Sequence, residues 1–222
     1  MLKRLFDFVF SAIAIVLISP LLIPIALILR FTGEGKVFYI QKRVGRKGEV
    51  FGLLKFATML ENSPNMPGGD VTFGHDPRVL PVGRFLRKTK INELPQLLNI
   101  FFGRMSIVGP RPMTPRNFEY YPFEIQREIK VLKPGLTGIG SIVFRDEESI
   151  LAKSSKPYMD CFKEDIAPYK GALEVWYKKH QGFALDVLLI LLTAWVIIFP
   201  KSELHFKLFK DLPKSRSYHN VS

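Results

Sequence analysis

FVFSAIAIVLISPLLIPIALIL, residues 8–29, carries no charge and is bounded by Lys3, Arg4 and Asp7 on one side and Arg30 on the other. At ~1.5 Å per residue, a helix of this length reaches across the ~30 Å hydrocarbon core of a bilayer. The apolar part is too long for a secretory signal peptide, and no small-residue cleavage site follows it. Ser19, Pro20 and Pro24 interrupt its middle. Proline removes a backbone donor and crowds the preceding turn, so a helix kinks or breaks there, and a nearby serine can bond the carbonyl left over. Positive charge lies on both flanks, with Lys3 and Arg4 before and Arg30, Lys36, Lys42, Arg43, Arg46 and Lys47 after. The positive-inside rule draws both groups to the cytoplasm. A re-entrant helical hairpin with arms of ~15–18 Å satisfies that rule. One kinked transmembrane helix is the alternative.

The chain has 222 residues, of which 47% are hydrophobic and 23% charged, room for one sizeable core and a small appendage. Its 19 Phe exceed what a soluble domain of this size needs, so some apolar surface meets lipid. A formal charge of +12 calls for an acidic partner. A long apolar segment has no place in a typical nucleic-acid binder, whereas anionic phospholipid and phosphate-bearing substrates account for both features. The lone Cys161 permits no internal disulfide, and no zinc-type Cys/His spacing occurs, which fits a reducing, cytoplasm-facing environment.

Residues 183–200 are apolar except for Asp186. Their length is marginal for a span and an acid is costly at mid-bilayer, which predicts an interfacial or half-buried helix, with a second span as the alternative. Residues 201–222 are basic and without period, a loosely ordered tail along the membrane surface. Between these segments, strands are predicted at residues 36–40 and 49–54, forming a hairpin around Gly45 and Gly48. A loop is expected at residues 61–81, and helices at 82–88, 93–102, 115–131 and 158–180.

The basic zone around Asn92 and Glu93 carries the chemistry. Asn92 is a good N-cap, Glu93 suits the positive first turn, Pro95 is tolerated there, and Gly103 suits the stop, so the pair reads first as ordinary helix punctuation. Arg78, Arg84, Arg87 and Lys88 precede this start, and Arg104 and Arg111 follow it. Guanidinium forks and free backbone N–H groups in such a zone can hold a pyrophosphate beside a carboxylate.

Three blocks carry a resemblance: RLFDFVFSAIAIVLISPLLIPIALILRF (4–31), DPRVLPVGRFLRKTKINELPQLLNIFFGRMSIVGPRP (76–112) and KPGLTGIGSIVFRDEE (133–148). In this order the chain resembles the bacterial sugar transferase family of monotopic phosphoglycosyl transferases, up to about Phe199. The resemblance implies an α/β, mainly helical, monotopic membrane protein with an N-terminal re-entrant hairpin, a small β-hairpin and interfacial amphipathic helices. It implies a hairpin at residues 1–32, a catalytic domain at 33–200 with an interfacial helix at 183–199, and a basic tail at 201–222. It also implies an enzyme of the bacterial inner membrane, with its site on the cytoplasmic face, that moves a sugar-1-phosphate from a UDP-sugar to undecaprenyl phosphate and releases UMP, with magnesium supporting the phosphates. By motif, Glu93 is the Glu of the family's Asp-Glu pair, Arg87 the basic residue five before the Asp position, Arg111 the Arg of the GPRP turn, and Lys55 the first Lys of a KFKTM-like block whose second basic residue is Ala57. Asp186 matches an acidic site position. Arg78, Arg104 and Arg145 join the expected phosphate-binding set, and Glu93 and Asp186 are the expected metal ligands. The sugar, the glycan pathway and a homodimer stay open.

The departure is at the nucleophile, where the family has Asp-Glu and this chain has Asn92-Glu93. A neutral carboxamide is a poor nucleophile and a weak metal ligand, so Asn92 does not inherit the covalent role. The stretch after Thr137 differs too, and brings Arg145, Asp146, Glu147 and Glu148, a solvated charge cluster on the plainest reading. Four accounts follow: Glu93 attacks; another acid, Asp146, Glu147 or Asp186, attacks; transfer is direct with Glu93 orienting the acceptor phosphate; or the chain is a silent membrane scaffold. Glu93 is the acid expected to be essential.

Overall fold

The computed structural model describes residues 2–66 and 76–214. It is mainly helical with two small sheets, and the chain divides into two compact units. One combines Arg4–Lys42 with Gly52–Gly103, the other Met1–Lys3, Arg43–Phe51 and Arg104–Ser222.

The first unit is built on α1, Leu2–Phe31, a single helix that runs through Pro20 and Pro24 where two separate arms were an expectation. The hydroxyl of Ser19 donates to the carbonyl of Val16 at 2.8 Å, the oxygen that Pro20 cannot serve because it has no N–H. Only the two ends of α1 are covered, at Asp7 and Ser11 and again at Ile25 and Leu29, and the stretch between stays largely open. At the start, Phe8 stacks on Phe101 with ring centroids 4.8 Å apart. The Arg4 guanidinium donates to the carbonyls of Ile100 and Phe101, both at 2.7 Å. At the end, Ile25 and Leu29 join Phe56 and Leu86 in one core cluster.

Strands β1 (Phe38–Val44) and β2 (Val50–Phe56) form the expected hairpin, each a few residues later than the hydrophobic pattern suggested. Its turn uses positive φ at Lys47 and Gly48. Helix α2 spans Pro81–Lys88, close to expectation. The next helix does not begin at Asn92. Lys90 adopts the left-handed conformation, a 3-10 turn follows at Ile91–Glu93, and α3 is the short Gln96–Phe101. The loop expected at 61–81 lies in part outside the described residues; its described part holds a 3-10 turn, Ser63–Asn65, and a bridge between Met59 and Val79.

The second unit centres on a parallel pair that the sequence pattern did not reveal. β3 (Ser106–Val108) pairs with β4 (Gly135–Thr137), Ser106 opposite Gly135 and Val108 opposite Thr137. Between them lie α4 (Pro115–Phe118) and α5 (Phe123–Lys130), where one helix was expected; Pro122 separates the two. After β4 come α6 (Ile139–Val143), α7 (Glu147–Lys153) and α8 (Tyr158–Cys161), then a π turn, Phe162–Ile166, that leads into α9 (Ala167–His180). Pro168 cannot bond the carbonyl four residues back, and the helix widens just ahead of it. Helix α10 (Phe183–Ile198) buries Asp186, Leu189, Leu192 and Val196 and leaves Leu191, Trp195, Ile197 and Ile198 exposed, the half-buried form expected of it. Among the described residues α1 alone is long and apolar enough to cross a membrane. Loose order does not hold for the first part of the tail: α11 (Leu204–Leu208) is helical, Leu212 is buried, and the Trp176 indole donates to Asp211 at 2.8 Å. Residues 215–222 lie outside the described residues.

Candidate active site

Five of the expected site residues fall in the first unit and four in the second, and each set is described within its own unit. In the first, the tight connection from α2 packs Ile91 against the cluster of Ile25, Leu29, Phe56 and Leu86, and Asn92 and Glu93 sit in the turn that results. Asn92 is no N-cap: its side chain bonds no helix N–H, it is 5% exposed, and its Oδ1 is buried without a hydrogen-bond partner. A buried carboxamide oxygen without a donor is costly, so the residue is placed for something other than holding α3. The physical reason for the correction is Lys90, whose left-handed backbone starts the turn earlier than a capped helix would. Glu93 is half-buried on the same turn. Arg87, from the last turn of α2, is half-buried, with a guanidinium nitrogen 3.7 Å from the Met59 sulfur. Lys55 is half-buried on β2.

Arg78 is differently disposed. It is 2% exposed, and its Nε and Nη2 donate to the Asp76 carboxylate while Nη1 donates to the carbonyl of Ser63 at 3.1 Å. The Asp76 hydrogen bond raises its pKa above the ordinary guanidinium value, against the opposing pull of burial. Binding a phosphate with this side chain requires breaking a buried ion pair.

In the second unit Arg104 is exposed just past the Gly103 turn, and Arg145 is exposed between α6 and α7. Arg111 follows β3 and borders a small cleft with Pro110, Tyr121, Lys130 and Glu174. Asp186 is buried: one carboxylate oxygen pairs with the Lys3 ammonium, and the other accepts from the Tyr177 hydroxyl at 2.6 Å. Lys3 also donates to the Val108 carbonyl at 2.9 Å. A metal at Asp186 would have to displace Lys3. Of the other acids, Glu147 pairs with the buried Lys170, and Asp146 accepts from the Ser149 hydroxyl at 2.8 Å on the surface.

Sequence reasoning missed two of these arrangements. Lys3 read only as a flanking charge, and Glu174, one turn after Lys170, has the spacing of a solvated pair yet is 2% exposed. The aromatic residues Tyr169, Trp176 and Tyr177 around it were the available signal that this helix is enclosed.

No cluster of three or more His, Cys, Asp or Glu side chains suited to a metal occurs among the described residues. Magnesium bound with substrate phosphates needs only one or two protein oxygens. Glu93 and the orphaned oxygen of its neighbour Asn92 fit that modest requirement.

Residues 1–200 match the profile of the family described as bacterial sugar transferase. The exopolysaccharide production protein ExoY of Rhizobium meliloti is 38% identical over 163 residues, 67% of this chain and 72% of the relative. The undecaprenyl-phosphate galactose phosphotransferase of Salmonella typhimurium is 33% identical over 211 residues, 89% of this chain and 40% of the relative. A UDP-N-acetylgalactosamine-undecaprenyl-phosphate N-acetylgalactosaminephosphotransferase of Aeromonas hydrophila is 36% identical over 201 residues, 89% of this chain and 44% of the relative. The chain therefore spans less than half the length of the latter two. The match takes in most of the chain, and the chain belongs to the bacterial sugar transferase family.

Proposed function

We propose that this chain transfers a sugar-1-phosphate from a UDP-sugar to undecaprenyl phosphate, releasing UMP, as the first membrane step of a glycan pathway. The observation that carries the reading is the unit holding Glu93 and Arg87, whose apolar helix leaves its middle bare. Both ends of α1 pack on that unit, at Phe101 and at Phe56 and Leu86, while Ile13, Val16, Leu17 and Ile23 between them are 55–73% exposed. With both ends of the helix packed on one unit and Ser19, Pro20 and Pro24 at its middle, a re-entrant, monotopic mode is the reading we favour. Lys3, Arg4 and Arg30 at its two ends favour the cytoplasmic face of the inner membrane. In the other unit the uncovered face of α10 is also of a kind that suits lipid. The relatives named for UDP-sugar and undecaprenyl-phosphate reactions agree with this substrate pair.

In this reading Glu93 is the essential acid. Within its own unit Arg87 and Lys55 bind phosphate; within the other, Arg111 binds phosphate and the exposed Arg104 and Arg145 add positive potential, and phosphoryl transfer depends chiefly on such positioning. Glu93 would be the residue to hold magnesium, which would supply neutralisation of phosphate charge. Asp186, held by Lys3 and Tyr177, secures the N-terminus to its unit. Purified protein, undecaprenyl phosphate and a panel of UDP-sugars test the proposal: lipid-dependent UMP release is expected, and its absence with every sugar leaves a silent scaffold. Intact mass after incubation with the UDP-sugar alone separates attack by Glu93, which leaves a phospho-sugar adduct, from direct transfer, which leaves none.

A further inference from the structure

Glu174 is the acid that this reaction does not use. It projects from α9 into the cleft beside Pro110, Arg111 and Tyr121, with 2% of its surface exposed. Its Oε1 accepts a long hydrogen bond, 3.4 Å, from the backbone N–H of Arg111. Its Oε2 is buried with no partner. Gly140 makes room for it, since a Cβ there would lie 2.3 Å from Oε1. The two residues before Arg111 are tied to the strand pair: Gly109 N–H donates to Thr137 at 2.9 Å, and Pro110 accepts from Gly135 N–H at 2.8 Å. Arg111 N–H is the next donor along, and Glu174 is the acceptor that meets it.

We propose that Glu174 is a positioning residue that sets the backbone at Arg111, and with it the direction in which the guanidinium meets the substrate's phosphates. This rests on the reading of Arg111 as a phosphate-binding residue. The task suits a neutral acid, because a carboxylate beside groups that gather phosphate repels what they gather. Burial raises the Glu174 pKa to about 8, against the smaller opposing effects of Lys170 and the Arg111 N–H. With one long hydrogen bond and an orphaned second oxygen, the ionised form has little support. The charged and titratable groups around it are Lys170 on the same helix, Glu147 of α7 paired with that lysine, Arg111, Tyr121, and Lys130 of α5 across the cleft. Helix α6, packed on α9, brings none. Burial, with Glu174 and Glu147, pushes the Tyr121 phenol well up, and Glu174 itself changes charge as pH passes about 8.

The test uses the full chain in lipid nanodiscs, with steady-state UMP release measured on both sides of pH 8 and UDP affinity measured by calorimetry. Wild type is expected to lose kcat/KM as pH rises through about 8. Glu174→Gln, neutral throughout, is expected to keep the neutral-pH activity and lose the alkaline fall. Glu174→Leu leaves the Arg111 N–H without its acceptor and is expected to raise KM for the UDP-sugar and weaken UDP binding about tenfold. A glutamine variant with the wild-type pH profile overturns the proposal, and that comparison stands whether or not the leucine variant folds. An active wild type with both variants unchanged sinks this inference alone. A wild type that neither binds UDP nor releases UMP sinks it together with the functional reading.

Discussion

The acids of the two units are set up in opposite ways. In the first, Glu93 stands half-buried on a turn entered through a left-handed lysine, next to a carboxamide whose oxygen has no donor. In the second, Asp186 is closed off by Lys3 and Tyr177, the half-buried Glu147 is paired with the buried Lys170, and Glu174 is held neutral by its own burial. A paired, buried carboxylate organises structure, whereas one on a half-buried turn keeps access to its surroundings. This difference supports the proposal that Glu93, beside Asn92, is the essential acid.

The largest effect that would break this contrast is at Glu93. Glu93→Gln is expected to lower UMP release at least ~1,000-fold with membrane insertion intact, as removal of a reacting group does; full activity in that variant would move the chemistry elsewhere. Its complement, Asn92→Asp, restores the family's pair and is expected to produce a phospho-sugar adduct at residue 92, read by peptide mapping.

Next in size come the enclosed pairs, where stability should suffer more than rate. Arg78→Met leaves Asp76 buried without its cation and is expected to cost ~3–5 kcal/mol in unfolding experiments. If the variant instead kept its stability and lost UDP binding, Arg78 would belong with the phosphate-binding groups. Lys3→Ala strands Asp186 in the same manner, but the lysine side chain is 39% exposed. A smaller loss of ~1–3 kcal/mol is expected, partly recovered in a Lys3→Ala, Asp186→Asn double variant.

A further effect is with pH. Glu174 has a folded pKa of about 8 against an ordinary 4.5. The folded state therefore holds a proton that the unfolded chain has lost between these values, and stability falls as pH rises across that window. Its contribution is complete below 4.5 and gone above about 8. Chemical denaturation of wild type and Glu174→Gln at several pH values checks the sign, since the glutamine variant should lack this slope.

What could be read from the sequence was what neighbours along the chain encode. The uncharged run of α1, the serine that serves the carbonyl freed by Pro20, the turn residues of the hairpin and the extent of α2 all follow from local rules of charge, proline and φ. The blocks around Glu93 and Arg111 were legible for the same reason, as residue types at fixed spacing. The N-cap reading of Asn92 failed because a left-handed Lys90 is not a propensity that lysine advertises. Three-residue strands such as β3 and β4 are too short to show a period, and their pairing joins segments far apart in the chain. The same holds for charge. Lys3 with Asp186 and Arg111 with Glu174 are partners only after packing has excluded water, and the energy that pairs one acid with a cation and favours the neutral form of the other comes from that exclusion. Sequence alone determined which residues could ionise and where the membrane-seeking helix lay; tertiary structure decided which charges were already spent.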